Sequence, residues 1–140
     1  MSTELKYHHI GIPTQERRDD EEYLPEFKVY ISSFDRSPFG VEWLRFEDDS
    51  PTPDLVKRVP HVAFEVPDLA AAIAGREILI EPNSPSDGVT VAFIVDDGAP
   101  IEFLELCKLI SHSTEAQYFR SVARVRSARH PFSKDRVADR

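Results

Sequence analysis

Apolar and polar residues alternate along several short stretches of this chain, and a period of two residues is typical of β-strands. Residues 5–13, 27–32 and 41–46 follow this pattern in the first part of the sequence. In the first stretch, alternation places His9 on one face and His8, with the neighbouring isoleucines, on the other. We therefore predict three strands in this part of the chain.

The segments between the apolar stretches are polar. Residues 14–24 have a poor apolar stripe, so they predict either a weak helix or a solvated loop. Residues 47–53 are acidic and contain two prolines, which predicts a linker between two halves of the chain. Residues 81–88 also contain two prolines and are predicted to form a loop.

The second half repeats the order of the first. Residues 61–66 and 77–80 predict strands on either side of a short helix at residues 69–74. Residues 89–95 and 99–106 then predict a hairpin around an Asp-Asp-Gly turn. A strand, then a helix or loop, then further strands in each half indicate a mostly antiparallel α+β fold.

The length of 140 residues fits one domain with a tail of different composition. We assign residues 1–106 to the domain, with modules at about 5–48 and 58–106. The formal charge of this part is −13, whereas residues 107–140 carry +5. A helix is expected within the tail at residues 112–129, from a partial apolar stripe.

Composition narrows the classes of partner. The net charge of −8 argues against nucleic acid or an anionic membrane as the main partner. No run approaches the roughly 20 apolar residues of a membrane helix, and the first residues lack the pattern of a signal peptide. The single cysteine, Cys107, excludes an intramolecular disulfide and favours a reducing cytoplasm.

A His and a Glu recur at matching places in the two halves. His9 and His61 each open the first strand of a half, and Glu42 and Glu102 each lie near the start of the last strand. A lone His or Glu at such a position is ordinarily structural, but four matched positions favour a shared site. Two imidazoles and two carboxylates suit one divalent Zn, Mn, Fe, Ni, Co or Mg ion.

These residues resemble the vicinal oxygen chelate superfamily, which has the glyoxalase-like fold. The sequences that begin at His9 and His61 look like its paired first strands, and those that begin at Glu42 and Glu102 look like its paired fourth strands. The resemblance implies two βαβββ modules that form a cup-shaped sheet over about residues 5–106. It also implies these four residues as ligands of one metal ion, and a homodimer.

The resemblance further implies a metal-dependent lyase or isomerase, similar to glyoxalase I or an epimerase. Its substrate would be a small molecule with vicinal oxygens that reacts through an enediolate, with Glu102 or Glu42 as the proton shuttle. Two alternatives stay open, a small-molecule-binding module of the same fold without turnover and an Fe(II) dioxygenase. The two carboxylates favour the lyase or isomerase, since dioxygenases of this type usually keep one.

Alternation also indicates substrate contacts. Lys28, Tyr30 and Ser32 share the face opposite to the apolar residues of their strand and are expected to face the cavity. Glu65 shares a face with His61, so it is either a further base or substrate contact or a carboxylate at the rim. The sequence does not name the substrate.

Overall fold

The computed structural model describes residues 4–107 of the chain, apart from the side chain of Ser86. The tail helix expected at residues 112–129 lies outside the described residues. Neither of the two α-helices in the described part has the length and apolar character that crossing a membrane requires. The elements are β1 (Lys6–Pro13), β2 (Glu22–Leu24), β3 (Val29–Ile31), a 3-10 helix (Phe34–Arg36), β4 (Val41–Phe46), α1 (Asp54–Arg58), β5 (His61–Glu65), α2 (Leu69–Ile73), β6 (Glu77–Ser86), β7 (Val89–Asp96) and β8 (Ala99–Leu106).

All eight strands form one curled sheet in the order β2-β3-β4-β1-β5-β8-β7-β6. The first four strands make one half and the last four the other, and β1 pairs with β5 in antiparallel orientation where the halves meet. The pairs β1–β4 and β5–β8 are parallel, and the other described pairs are antiparallel. The predicted α+β class and cup-shaped, mostly antiparallel sheet are confirmed.

The helix α2 covers one face of the second half, which we call the outer face. Asp68 caps this helix, because its carboxylate accepts a hydrogen bond from the Ala71 backbone N–H at 3.2 Å. Leu69 and Ala72 are buried and pack against outward-pointing strand residues such as Phe103. The opposite face of the sheet, which carries His61, is the inner face.

The outer face of the first half has a different cover. The described chain contains no helix between β1 and β2, so the loop interpretation is correct for residues 14–21, and residues 22–24 form β2. Arg45 Nε of β4 donates to Glu21 Oε2 at 3.2 Å, and the guanidinium of Arg18 lies 5.2 Å from the centre of the Trp43 ring. Charged side chains of a loop therefore take the place that an apolar helix has in the second half.

Three elements differ from the sequence prediction. The strand β2 (Glu22–Leu24) lies where a weak helix or a loop was expected. The short helix α1 was not predicted, and its Val56 is buried. The strand β6 continues through residues 81–86, where a loop was expected, and only residues 87–88 form a turn. Its register against β7 shifts at three points, and such irregularities let an edge strand accommodate Pro82 and Pro85.

Apolar clusters line the inner face in both halves. Each cluster buries side chains from neighbouring strands, so the two walls of the cup are apolar. Strands β4, β5 and β8 contribute to these walls and also carry the His and Glu residues. The clusters are Leu24, Val29 and Leu44 in the first half, and Ala63, Val89, Val91 and Leu104 in the second.

We predict that Leu104→Ala lowers the free energy of unfolding by about 2–5 kcal/mol, because truncating a buried leucine leaves a cavity. Leu104 has no exposed surface, whereas Leu5 is 50% exposed. The control Leu5→Ala should change the free energy by less than about 0.5 kcal/mol. Urea unfolding followed by circular dichroism measures both variants, and equal effects would contradict the packing described above.

Candidate metal centre

Three side chains from three strands meet on the inner face. They are His9 of β1, His61 of β5 and Glu102 of β8, and their ligand atoms all lie within 4.8 Å of one another. His9 Nε2 lies 3.3 Å and His61 Nε2 lies 3.2 Å from the same oxygen, Glu102 Oε2. All three residues are buried. Three of the four predicted ligands are therefore adjacent, and we call them the His-His-Glu cluster.

Strand register brings the cluster together. His9 pairs with Ala63 across β1 and β5, and Ala63 pairs with Glu102 across β5 and β8. Paired residues of neighbouring strands point to the same side of a sheet. The small side chain of Ala63 leaves space between the imidazole and the carboxylate, which can therefore approach each other across it.

A second set of paired residues across neighbouring strands is centred on Gly11. Gly11 pairs with His61 on one side and with Glu42 on the other. A Cβ atom on Gly11 would lie 2.2 Å from Cε1 of His61. The imidazole of His61 thus fills the space that any larger residue would need. Gly11 in the first half and Ala63 in the second have equivalent roles, because each pairs with the Glu of its own half.

His8 is buried beside His9, contrary to the expectation that the two rings point in opposite directions. The register of β1 shifts between Tyr7 and His9, and a bulge of this kind redirects a side chain. The Nδ1 atoms of His8 and His9 are 2.7 Å apart, so the N–H of one ring donates a hydrogen bond to the nitrogen of the other. Both rings also contact Phe34. These contacts fix the orientation of the His9 ring.

Burial and neighbouring charge act on the titratable groups of this region. Burial favours the neutral form of Glu102, but the His61 and His9 imidazoles outweigh it and hold the pKa of this carboxyl well below its usual range. Burial, together with His9, lowers the pKa of His8 to about 4. At neutral pH the cluster therefore contains a carboxylate, and His8 is an uncharged neighbour.

The cluster can accommodate a divalent ion. Two ligands about 2.1 Å from one ion, at tetrahedral or octahedral angles, lie about 3.0–3.4 Å apart. The two separations between imidazole nitrogen and carboxylate oxygen are 3.2 and 3.3 Å. In addition, both ring nitrogens of His61 are buried and make no well-aligned hydrogen bond to a described residue, although Nε2 lies 3.2 Å from Glu102 Oε2. Such a nitrogen is costly to bury, and metal coordination would satisfy it.

Glu42 is not a member of this cluster. Its side chain is half-buried and lines the same cavity as His61 and Glu102. Because Glu42 pairs with Gly11 as Glu102 pairs with Ala63, the two carboxylates occupy equivalent positions in the two halves. The fourth-ligand role of Glu42 stays a prediction.

The inner face of β3 is apolar, contrary to the prediction that Lys28, Tyr30 and Ser32 face the cavity. Val29 and Ile31 line the cavity instead. Alternation along this segment is therefore confirmed, but the side assigned to the polar residues was wrong. The reason is that this wall of the cup is apolar. The apolar residues Val29 and Ile31, which were expected to pack in a core, therefore face the cavity.

The three residues that were predicted to contact substrate lie in other environments. Lys28 has a positive φ of 48° just before β3 and pairs with Asp49 at the protein surface. The guanidinium of Arg45 lies 3.9 Å from the centre of the Tyr30 ring. Ser32 is buried, but it lines a separate cavity on the other side of the first half.

Glu65 lies at the end of β5, on the inner face by alternation from His61. Its carboxylate pairs with the ammonium group of Lys6 at 3.8 Å, and its side chain is 31% exposed. Glu65 does not line the cavity at the cluster. The interpretation as a rim carboxylate therefore agrees better with the structure than a role as a further base.

A cavity of about 170 Å³ opens onto the cluster between the two halves. Sequence reasoning missed its apolar lining, although alternation along β4 places Leu44 and Phe46 on the same face as Glu42 and could have found it. The polar lining residues are Glu42, Thr52, His61, Asn83 and Glu102.

Comparison with solved structures shows that the fold is shared. A hypothetical protein from Bacillus halodurans is 24% identical with a TM-score of 0.54, and the match covers 75% of this chain and 95% of that one. Methylmalonyl-CoA epimerase from Mycobacterium tuberculosis is 17% identical with a TM-score of 0.50, over 77% and 92% of the two chains. The epimerase belongs to the vicinal oxygen chelate superfamily. No family model and no curated protein sequence matches this chain.

We predict that Gly11→Ala weakens metal binding by about 10–100-fold, the usual effect of displacing the support of a ligand. The added Cβ would overlap the His61 ring, which must then leave its present position beside Glu102. Competition with a chromogenic chelator measures the affinity. Ala70→Ser is the control, because it adds one side-chain atom at an exposed position of α2. Unchanged affinity in Gly11→Ala would contradict the packing of His61 over this glycine.

Proposed function

We propose that this protein is a divalent-metal-dependent lyase or isomerase that acts on a small substrate with two adjacent oxygens. The observation that carries the proposal is the buried His-His-Glu cluster at the base of an open cavity. A buried cluster on its own could be structural, but a cluster that also borders a cavity can be reached by a substrate. The fold shared with an epimerase supports the isomerase class.

His9, His61 and Glu102 would hold the ion, which we propose to be Zn, Ni, Co, Mn or Fe. When bound, such an ion acts as a Lewis acid toward substrate oxygens. Glu102 suits the role of ligand better than that of base. Its lowered pKa makes it a weak base, and general-base catalysis is most efficient with a pKa near the working pH.

Glu42 is the better candidate for proton transfer. Its carboxylate is half-buried, borders the cavity and lies across Gly11 from His61. In the proposed isomerisation, Glu42 removes a proton from a carbon next to a substrate carbonyl and returns it to the substrate. The reaction then has no net oxidation or reduction and needs no second substrate. The alternative role of Glu42, as the fourth metal ligand, is separated from this one by the experiment below.

One observation favours a second candidate function. The cluster contains two His and one carboxylate, which is the ligand set typical of non-haem Fe(II) oxygenases. Oxygen consumption by the Fe(II)-loaded protein with a panel of catechols tests this candidate. Uptake that requires Fe(II) and is absent with Zn would favour the oxygenase over the isomerase.

The homodimer and the cytoplasmic location expected from the sequence stay predictions. Analytical ultracentrifugation of the full chain tests the first, and fractionation of the source cells tests the second.

We predict that the purified full chain binds about one divalent ion per protein and that Glu102→Gln weakens this binding by at least about tenfold. The substitution removes the charge that both imidazoles face. Glu77→Gln, at an exposed residue of β6, is the control and should bind metal like the unchanged protein. Metal analysis after growth in supplemented medium provides the measurement, and absence of any ion would refute the metal site.

We predict that Glu42→Gln retains metal but slows proton transfer by about 10²–10⁴-fold, as expected for loss of a general base. The assay follows deuterium incorporation from solvent into candidate substrates, which include thiol adducts of methylglyoxal and pairs of acyl-CoA epimers. Metal content is measured on the same samples. Loss of metal in Glu42→Gln would show that Glu42 is a ligand and would refute its assignment as a base only.

A further inference from the structure

We infer that the substrate of this site presents an uncharged apolar group, about the size of one aromatic ring or a short branched chain, beside its two adjacent oxygens. This inference rests on the proposed function, because it assumes that the cavity at the His-His-Glu cluster is the substrate site. It adds the substrate class, which neither the cluster nor the fold specifies.

The walls of the cavity are apolar on both sides. Ile31, Leu44 and Phe46 line it from the first half, and Val91 and Phe93 line it from the second. The polar groups that line it include Glu42, His61 and Glu102, which belong to the proposed chemistry. A substrate whose oxygens reach the cluster therefore places the rest of its structure between hydrocarbon walls.

The cavity also lacks positive charge. No Lys or Arg between residues 4 and 107 lines it. The two basic side chains nearest in sequence to its β3 and β4 walls are engaged elsewhere, since Lys28 pairs with Asp49 and Arg45 pairs with Glu21. A carboxylate or phosphate in this cavity would lose hydration without gaining an ion pair, and it would also face the two acidic residues at the base.

The size of the cavity limits the group further. Its volume is about 170 Å³. An engineered cavity of about 150 Å³ lined by similar side chains stays dry and binds benzene. A group of roughly that size fills this cavity, and burial of such a group favours binding by about 10–100-fold relative to a methyl group.

Three hydroxamic acids provide the direct test, because they present the same pair of chelating oxygens with different substituents. They are acetohydroxamic acid, benzohydroxamic acid and the para-carboxy analogue of the latter. Calorimetric titration of the zinc-loaded full chain should give benzohydroxamic acid the highest affinity, at least tenfold above each of the other two. Equal or tighter binding of either other compound would overturn the inference.

A pair of matched variants tests whether the cavity wall sets this preference. Phe27 lines the cavity and is 40% exposed, whereas Phe39 is 78% exposed and lies outside it. Because both side chains reach the surface, replacement by lysine should be tolerated by the fold. Phe27→Lys should raise the affinity for the para-carboxy analogue severalfold, and Phe39→Lys should leave it unchanged. The same effect in both variants would overturn the assignment to this cavity.

A metal-free experiment separates this inference from the proposed function. Benzyl alcohol and benzoate are compared by the shift that each produces in the melting temperature of the metal-free full chain. A larger shift with benzyl alcohol supports the apolar cavity even if the protein takes up no metal and the proposed function fails. A larger shift with benzoate overturns the inference even if the metal site is confirmed.

Discussion

The antiparallel pairing of β1 with β5 is the constraint on which the site depends. This pairing joins the two halves of the sheet and sets which residues lie opposite one another at its centre. In this register His9 lies opposite Ala63, and His61 lies opposite Gly11. A slip of one residue would turn the side chains of one strand to the other face. The register therefore determines at once how the halves join and whether two imidazoles can meet.

The two halves of the sheet have equivalent topology, but different elements cover their outer faces. In the second half, an apolar helix capped by Asp68 holds the outer face, and the inner face carries Glu102. In the first half, an ion pair between Arg45 and Glu21 lies where that helix would be. The carboxylates of Glu102 and Glu42 occupy equivalent register positions, but only the first joins both imidazoles. The repeated topology thus contains two similar positions with different surroundings, which is why we give them different roles.

The sequence allowed prediction of the sheet and of three cluster residues, because strand alternation and a repeated His-to-Glu order are local signals. It failed where the decisive contact is not local. The bulge beside His8 depends on pairing with β5, and the face assigned to Lys28 and Tyr30 depends on the apolar opposite wall of the cup. The helix α1 has only five residues and directly follows the linker predicted at residues 47–53, so it is too short for an apolar stripe to reveal. Side-chain partners such as Asp49 for Lys28 lie too far apart in sequence for a pattern to show them.

The prolines of β6 have a consequence for the protein in a crowded solution. Within the described part of the chain, β2 and β6 are the two edges of the sheet, and an open edge can pair with a strand of another molecule. The edge at β2 is only three residues long. The edge at β6 is ten residues long, but Pro82 and Pro85 offer no backbone N–H, and the irregular register disturbs its regular pleat. Both open edges of the sheet therefore disfavour pairing with strands of other molecules, which is the step that would extend the sheet into a fibre.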